Sequence, residues 1–343
     1  MNGRFWIDKA LGLLLILATS CVLPLSRIEP NETLWQRQDT GWETVAHRRV
    51  LDAGRIPHSS FFLEHASPRA CLFVVSEVGI SGEHLFTNRM GSVGRTLWRQ
   101  GYSVVSTSVP ESSLNLQDWR QDALMHFLKL LDSSRDLCGE LPMIGIGHGI
   151  AGSLLLERAL NQRLHSLVLL SVPLTYSGMS VAAARALGST NDWAWRDLAG
   201  IRVPANFSGT ATLEEVLMTN QDNRKDRFEL YQAEGMRLPL SFRKTLLDER
   251  RPITDLALSP SVQTWLYDTQ PALVVLASGN GWVSTWQADP IAMGAPASRT
   301  DRIYVTRANG STREFNHFDL FWDDESISQV WRPIIRWLRQ GGH

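Results

Sequence analysis

An excess of charge of either sign is missing from this chain: 34 basic side chains stand against 35 acidic ones, for a formal net charge of -1. With no electrostatic footprint for phosphates, nucleic-acid binding is excluded as a leading reading. Cysteine is scarce, three among 343 residues, and a chain of this length does not need disulfides to replace a hydrophobic core. No H-x-x-x-H or C-x-x-C spacing occurs, which removes the common zinc signatures, and no cofactor is expected. Internal repeats and low-complexity tracts are absent as well. What remains is one large α/β domain with an insertion, or two ordinary domains.

Behind Arg4 and Lys9, residues 10–25 form an apolar run that is shorter than the roughly 20 residues of a comfortable membrane span. Basic residues ahead of such a run mark residues 1–26 as an export signal or short anchor. They place the remainder outside the cytoplasm, secreted or membrane-anchored, in the periplasm or cell envelope if the host is bacterial. Ala18, Thr19 and Ser20 precede Cys21, so cleavage after Ser20 would leave a cysteine for lipidation, although Leu17 lies one position too early for a lipoprotein box. An uncleaved anchor is the alternative. In an oxidising compartment Cys71 and Cys138, each placed by the pattern at the start of a core strand, are a candidate disulfide. The other reading is two small buried apolar side chains.

Residues 41–50 and 59–64 read as an antiparallel pair around Asp52-Ala53-Gly54. Continuous apolar runs then begin at Ala70, Leu164 and Pro271, with shorter strands at 102–107 and 302–307, the pattern of strands buried on both faces of a sheet. Between them lie amphipathic helices at 87–100, 116–133 and 153–162. A final helix over 327–340 carries a broad core face of Val330, Trp331, Ile334, Ile335, Trp337 and Leu338. The alternation gives an α/β fold, a mostly parallel sheet with helices on both faces. From 175 to 270 the rhythm breaks into proline-separated helical pieces, 212–218 and 228–234 among them, which read as an inserted, mainly helical cap. Trp193, Trp195 and Trp265 would pack this cap or line an acyl-binding surface. The sheet domain is thereby split into 27–174 and 271–343.

The stretch from Leu141 to Arg158 has the outline of a strand, a tight turn and a helix, with Gly147, Ala151 and Gly152 in the small positions of a nucleophile elbow. Its apex is Gly149, where the G-x-S-x-G arrangement has serine. Glycine takes the strained backbone angle of that turn at little cost, so the turn is kept and the attacking hydroxyl is lost. Ser153 lies one helical turn beyond the apex, about 6 Å along the axis, and should point away from the site. His148 reads as a satisfied histidine packed beneath the elbow.

Phe315-Asn316-His317-Phe318-Asp319-Leu320-Phe321-Trp322, the helix from Val330, the run Ser278-Gly279-Asn280-Gly281 and the elbow together resemble the α/β-hydrolase family. The C-terminal third resembles its acid lipase branch. The resemblance implies an α/β-hydrolase-like fold and casts His317 as the catalytic base. It also puts Gly281 where the triad acid belongs, so that nucleophile and acid are both lost, with Asp289 the nearest substitute acid. Backbone N–H groups of Ile150 and of the loop at Val78 and Gly79 would still form an oxyanion pocket able to hold a carboxylate or an ester carbonyl. Asp319 and Trp322 are explained equally well by anchoring the final helix.

The sequence thus points to an exported α/β-hydrolase-fold protein with impaired catalysis that binds an acyl or lipid-like ligand or an envelope protein, attached to the membrane through its N-terminal segment. The alternative is an active lipase, esterase or peptidase with a relocated nucleophile, a carboxylic ester hydrolase above all. Fold alone does not decide between them.

Overall fold

The computed structural model describes residues 33–38, 41–51, 58–77, 80–87, 92–108, 116–159, 164–174, 202–205, 209–212, 229, 271–279, 283, 285–292 and 300–341. Residues 1–26 with Cys21, the positions Val78, Gly79 and Gly281, the tryptophans Trp193, Trp195 and Trp265, and most of residues 175–270 lie outside the described residues.

Nine strands form the main sheet: β1 (Thr33–Gln38), β2 (Gly41–Leu51), β3 (His58–Leu63), β4 (Ala70–Ser76), β5 (Tyr102–Ser108), β6 (Met143–His148), β7 (Ser166–Leu170), β10 (Ala272–Ala277) and β11 (Thr300–Val305). Their spatial order is β1-β2-β3-β5-β4-β6-β7-β10-β11. The pairings from β1 to β5 are antiparallel, and every pairing from β5 to β11 is parallel. Two further strands, β8 (Arg202–Ala205) and β9 (Gly209–Thr212), pair antiparallel in a ribbon of their own. This ribbon lies within residues 175–270, where the pattern suggests helical pieces and no strong buried strand; the expected helix at 228–234 falls almost wholly outside the described residues.

The central strands are predominantly apolar and lie in the interior. Every residue of β4, β6, β7 and β10 is buried, as a sheet covered on both faces requires. Each fully covered Val, Leu, Ile or Phe contributes about 1.5–3 kcal/mol relative to exposure. At the edge, β11 mixes Thr300, Asp301 and Arg302 with Ile303 and Tyr304 and is mostly accessible, in keeping with the polar edges that discourage pairing with other chains.

Helices α1 (His84–Thr87) and α2 (Val93–Arg99) carry the chain from β4 to β5. Helix α3 (Leu116–Cys138) then returns it across β4 to β6, and α4 (Gly149–Ala159) leads on to β7. The direction of the strand order therefore reverses at β4. Open α/β sheets place their ligands outside the carboxyl ends of the strands at such a reversal. Glu77 directly follows β4, and Gly149 directly follows β6.

The elbow is tighter than the pattern suggested, because α4 begins at Gly149 rather than at 153, with no residue between strand and helix. Gly147 and Gly152 face each other so closely that a Cβ on Gly147 would lie 2.6 Å from the Gly152 Cα. Side chains there would force the helix off the strand.

Cys71 of β4 is disulfide-bonded to Cys138, with the Cα atoms 5.8 Å apart. Cys138 does not start a strand as expected; it is the last residue of α3, which continues past Ser133. The buried Ser134 hydroxyl donates to the Leu130 carbonyl at 2.6 Å, so a residue type that often ends helices is satisfied within this one. The final helix also departs from the regular form expected over 327–340. It opens as a π-helical turn, Ile327–Trp331, and becomes an α-helix, α7, only at Arg332–Arg339, with Pro333 in its first turn. Proline has no N–H to return to the preceding turn, so the irregular hydrogen bonding falls immediately before it. Two short helices precede α7: α5 (Thr285–Ala288) after β10 and α6 (Asp319–Trp322) after β11.

Candidate functional site

At the mouth of β4, Glu77 is fully buried. A run of seven covered residues ends in a carboxylate, and burial of that group is costly unless it finds a partner. The partner is His317, whose Nε2 lies 2.9 Å from Glu77 Oε2. Because a carboxylate only accepts, the hydrogen in this contact resides on Nε2. Both side chains are entirely inaccessible.

Gly149 makes this meeting possible. Its φ is +56°, the left-handed value of an elbow apex, and a Cβ built there would fall on the Glu77 carboxylate, 2.6 Å from its Cδ and 2.7 Å from His317 Nε2. The carboxylate thus fills the space that a side chain at the apex would occupy. Oε1 points the other way, accepting a long hydrogen bond of 3.4 Å from Ala151 N–H in the first turn of α4. A negative charge at that helix end is favoured by the unsatisfied amides and the helix dipole.

His148 lies beneath the pair. Its ring stacks on that of His317 with centroids 4.2 Å apart and an interplanar angle of 24°. Its Nε2–H donates to the His317 carbonyl at 2.9 Å, which fixes the tautomer, and Nδ1 has no partner among the described residues. Burial, reinforced by the neighbouring His317, lowers the His148 pKa to about 3 against the opposing pull of Glu77. The ring is therefore neutral at physiological pH. Phe321 packs on it at 4.8 Å, with Phe318 and Trp322 farther out.

The loop after β11 delivers His317 through backbone capping. Asn316 Oδ1 accepts from the N–H groups of Phe318 and Asp319, while Asp319 Oδ2 accepts from Asn316 N–H at 2.9 Å. This is the reciprocal pattern of a capping box, and it holds residue 317 between its two members. Gly279 N–H donates to the Phe315 carbonyl at 2.8 Å, tying the loop after β10 to the same segment. Trp322 Nε1–H donates to the His84 carbonyl. The N-H-x-D spacing and its tryptophan therefore have a positioning function that can be read directly from the contacts.

Asp289, expected as a substitute acid, is placed elsewhere. Its Oδ1 accepts from Ile291 N–H at 2.9 Å, and its Oδ2 accepts from Arg302 at 2.9 Å and from the Tyr304 hydroxyl at 2.8 Å. Burial and this carboxylate together raise the Tyr304 pKa. Among the described residues, Asp289 makes no hydrogen bond to His317, and the carboxylate that does is Glu77. Ile150 lies in the first turn of α4, as the elbow requires. Ser153 stands one turn further on and is half-buried.

Glu77 was the residue missed in the sequence. Its signal was a lone acid closing an otherwise apolar strand, set beside a glycine where a side chain was expected.

Among solved structures, a bromoperoxidase from Bacillus anthracis superposes with a TM-score of 0.56 at 11% identity, over 85% of this chain and 99% of its own. A monoacylglycerol lipase from Paleococcus ferrophilus gives 0.51 at 12% identity, over 82% of this chain and 98% of its own. No family profile and no curated protein matches the chain. The mostly parallel sheet covered by helices and these likenesses agree on the architecture: this chain has the α/β-hydrolase fold.

Proposed function

We propose that this is an exported α/β-hydrolase-fold protein that has left serine-type acyl transfer, and that it uses the mouth of β4 and β6 to take an acyl- or lipid-like ligand. The observation that carries this reading is the Glu77 carboxylate in the place of the elbow hydroxyl, in contact with His317. A carboxylate is a poor stand-in for serine in ester hydrolysis. Its attack on an ester carbonyl would form a mixed anhydride, which is less stable than the ester consumed, whereas serine exchanges one ester for another.

The same carboxylate narrows the ligand. The first turn of α4, whose Ile150 amide is expected to receive a ligand carboxylate or carbonyl oxygen, already turns its neighbouring Ala151 amide to Glu77 Oε1. A second carboxylate within a few ångströms would meet like charge in a poorly solvated place, so the fitting ligand has an uncharged reacting end. Export is supported by the basic and apolar N-terminal segment and by the Cys71–Cys138 disulfide, a bond that persists in oxidising compartments.

The test pairs a fluorophosphonate probe with a panel of short- and long-chain esters, using the protein with its disulfide intact. No serine should be labelled, and ester turnover should not differ between wild type and His317→Ala. Labelling of a serine, or efficient ester hydrolysis abolished by His317→Ala, would overturn the reading.

A further inference from the structure

We propose that Arg69, Arg339 and the Tyr102 hydroxyl form a second binding site, one for a phosphate group, at the opposite end of the strands from Glu77. Arg69 directly precedes β4 and Tyr102 opens β5, with Ala70 and Tyr102 paired in register. Glu77 follows the far end of β4, a strand of seven residues, so the two places are about 20 Å apart. The site is therefore independent of the elbow and of the reading given to it.

The balanced charge of the whole chain conceals a local surplus here. Helices α2 and α7 carry five arginines, Arg95, Arg99, Arg332, Arg336 and Arg339, and no acidic residue. Their C-terminal ends meet, because Arg339 donates to the side-chain oxygen of Gln100, the residue that caps α2. On the other side of the same turn, Arg69 N–H donates to the Gly101 carbonyl at 2.8 Å. Gly101 has φ +92°, and the Arg69 side chain lies against it, with Nε 3.4 Å from the place a Cβ would take. Two exposed guanidinium groups thus bracket Gln100-Gly101-Tyr102. Among the described residues neither forms an ion pair.

Tyr102 separates this place from a merely basic surface. Its side chain is fully buried, and its hydroxyl has no hydrogen-bond partner among the described residues. A hydroxyl left unmet in the interior is costly, and an incoming acceptor relieves that cost. Burial raises the pKa of the phenol, while the charges of Arg69 and Arg339 act against the rise. The group therefore remains a hydrogen-bond donor within the field of two cations. What the place offers a ligand is donors: two planar guanidinium forks and one O–H. A tetrahedral oxyanion with several acceptor oxygens and up to two negative charges matches that set, as a phosphate monoester does. A soluble phosphate ester and a lipid headgroup present the same oxygens.

The experiment is a calorimetric titration of the full-length, disulfide-bonded protein with glycerol 1-phosphate at constant ionic strength, beside Arg69→Gln, Arg339→Gln and Tyr102→Phe. Each arginine substitution should weaken binding at least about tenfold, and Tyr102→Phe about fivefold. Tyr102→Phe removes an unpaired buried hydroxyl, so in phosphate-free buffer it should be at least as stable as wild type. Weakened binding by that variant is then not a loss of fold. A second arm measures cosedimentation with mixed vesicles of phosphatidylcholine and phosphatidic acid, against phosphatidylcholine alone. Wild type and Tyr102→Phe share one N-terminal segment, so a difference between them on the acidic vesicles reports this site and assigns the phosphate to a lipid headgroup. Tyr102-dependent binding of glycerol phosphate without that difference assigns it to a soluble ester. If Tyr102→Phe matches wild type in both arms, as a diffuse basic surface would have it, or if neither probe is bound, the proposal is overturned.

Discussion

Two carboxylates, Glu77 and Asp289, show how differently one fold can use the same group. Glu77 closes a central strand, is wholly inaccessible, and meets an imidazole delivered from the far end of the chain. Asp289 lies beside the edge strand β11, keeps some contact with solvent, and is shared among a guanidinium, a phenol and a backbone amide. Order along the chain favours Asp289 as the acid of a triad, because it follows β10. Burial and contact favour Glu77. Position in sequence states where a role used to be, whereas the cost of burying charge states where one is now required.

The largest effect that would sharpen this contrast is on stability. Glu77→Leu removes one member of a fully buried pair, and with it the carboxylate facing His317 Nε2, so a loss of about 3 kcal/mol is expected in chemical denaturation. A change under roughly 0.5 kcal/mol, the range of ordinary surface substitutions, would mean that the pair is not buried as described.

Next comes the histidine beneath the pair. In the unfolded chain His148 titrates near 6.5, but in the fold its pKa is lowered to about 3. Between these values the unfolded state binds the proton and the native state does not, so stability rises with pH from about 3 to 6.5 and levels off above. His148→Gln keeps a donor for the His317 carbonyl and cannot titrate. Relative to it, wild type should lose up to about 1.4 kcal/mol for each pH unit below 6.5, read from urea midpoints across an acid series. Parallel pH profiles would show that the imidazole is not held neutral.

The smallest effect belongs to Asp289. Its pair with Arg302 is partly exposed, with side-chain accessibilities of 12% and 31%, so Asp289→Asn should cost no more than about 1 kcal/mol. That cost should shrink in high salt. If Asp289→Asn proved as damaging as Glu77→Leu, the contrast between the two carboxylates would collapse.

Much of the fold was legible because the residues repeat a simple physical demand. Strands β4, β7 and β10 are continuous apolar runs, and the glycines at 147 and 152 announce a strand and helix in close approach. Strand β1, Thr-Leu-Trp-Gln-Arg-Gln, was not legible; among the described residues it lies at the sheet edge and pairs with β2 alone, so no apolar run marks it. The full length of α3 was hidden by adjacent serines whose helical role depends on the Ser134 bond to Leu130. In the site, His317 and Gly149 were visible from their local patterns. Glu77 was not, because its meaning depends on a contact between residues 240 positions apart, which no local spacing encodes.

The central claim is that the Glu77 carboxylate and an apex side chain compete for one space. A double-mutant cycle of Gly149→Ser, Glu77→Gly and the combination tests it most directly, with unfolding free energy as the readout. Gly149→Ser alone should lose about 3 kcal/mol through collision and positive-φ strain. In the Glu77→Gly background the same change should cost only about 1 kcal/mol, a coupling of about 2 kcal/mol. Additive losses, or a Gly149→Ser protein as stable as wild type, would contradict the placement of Glu77 at the apex.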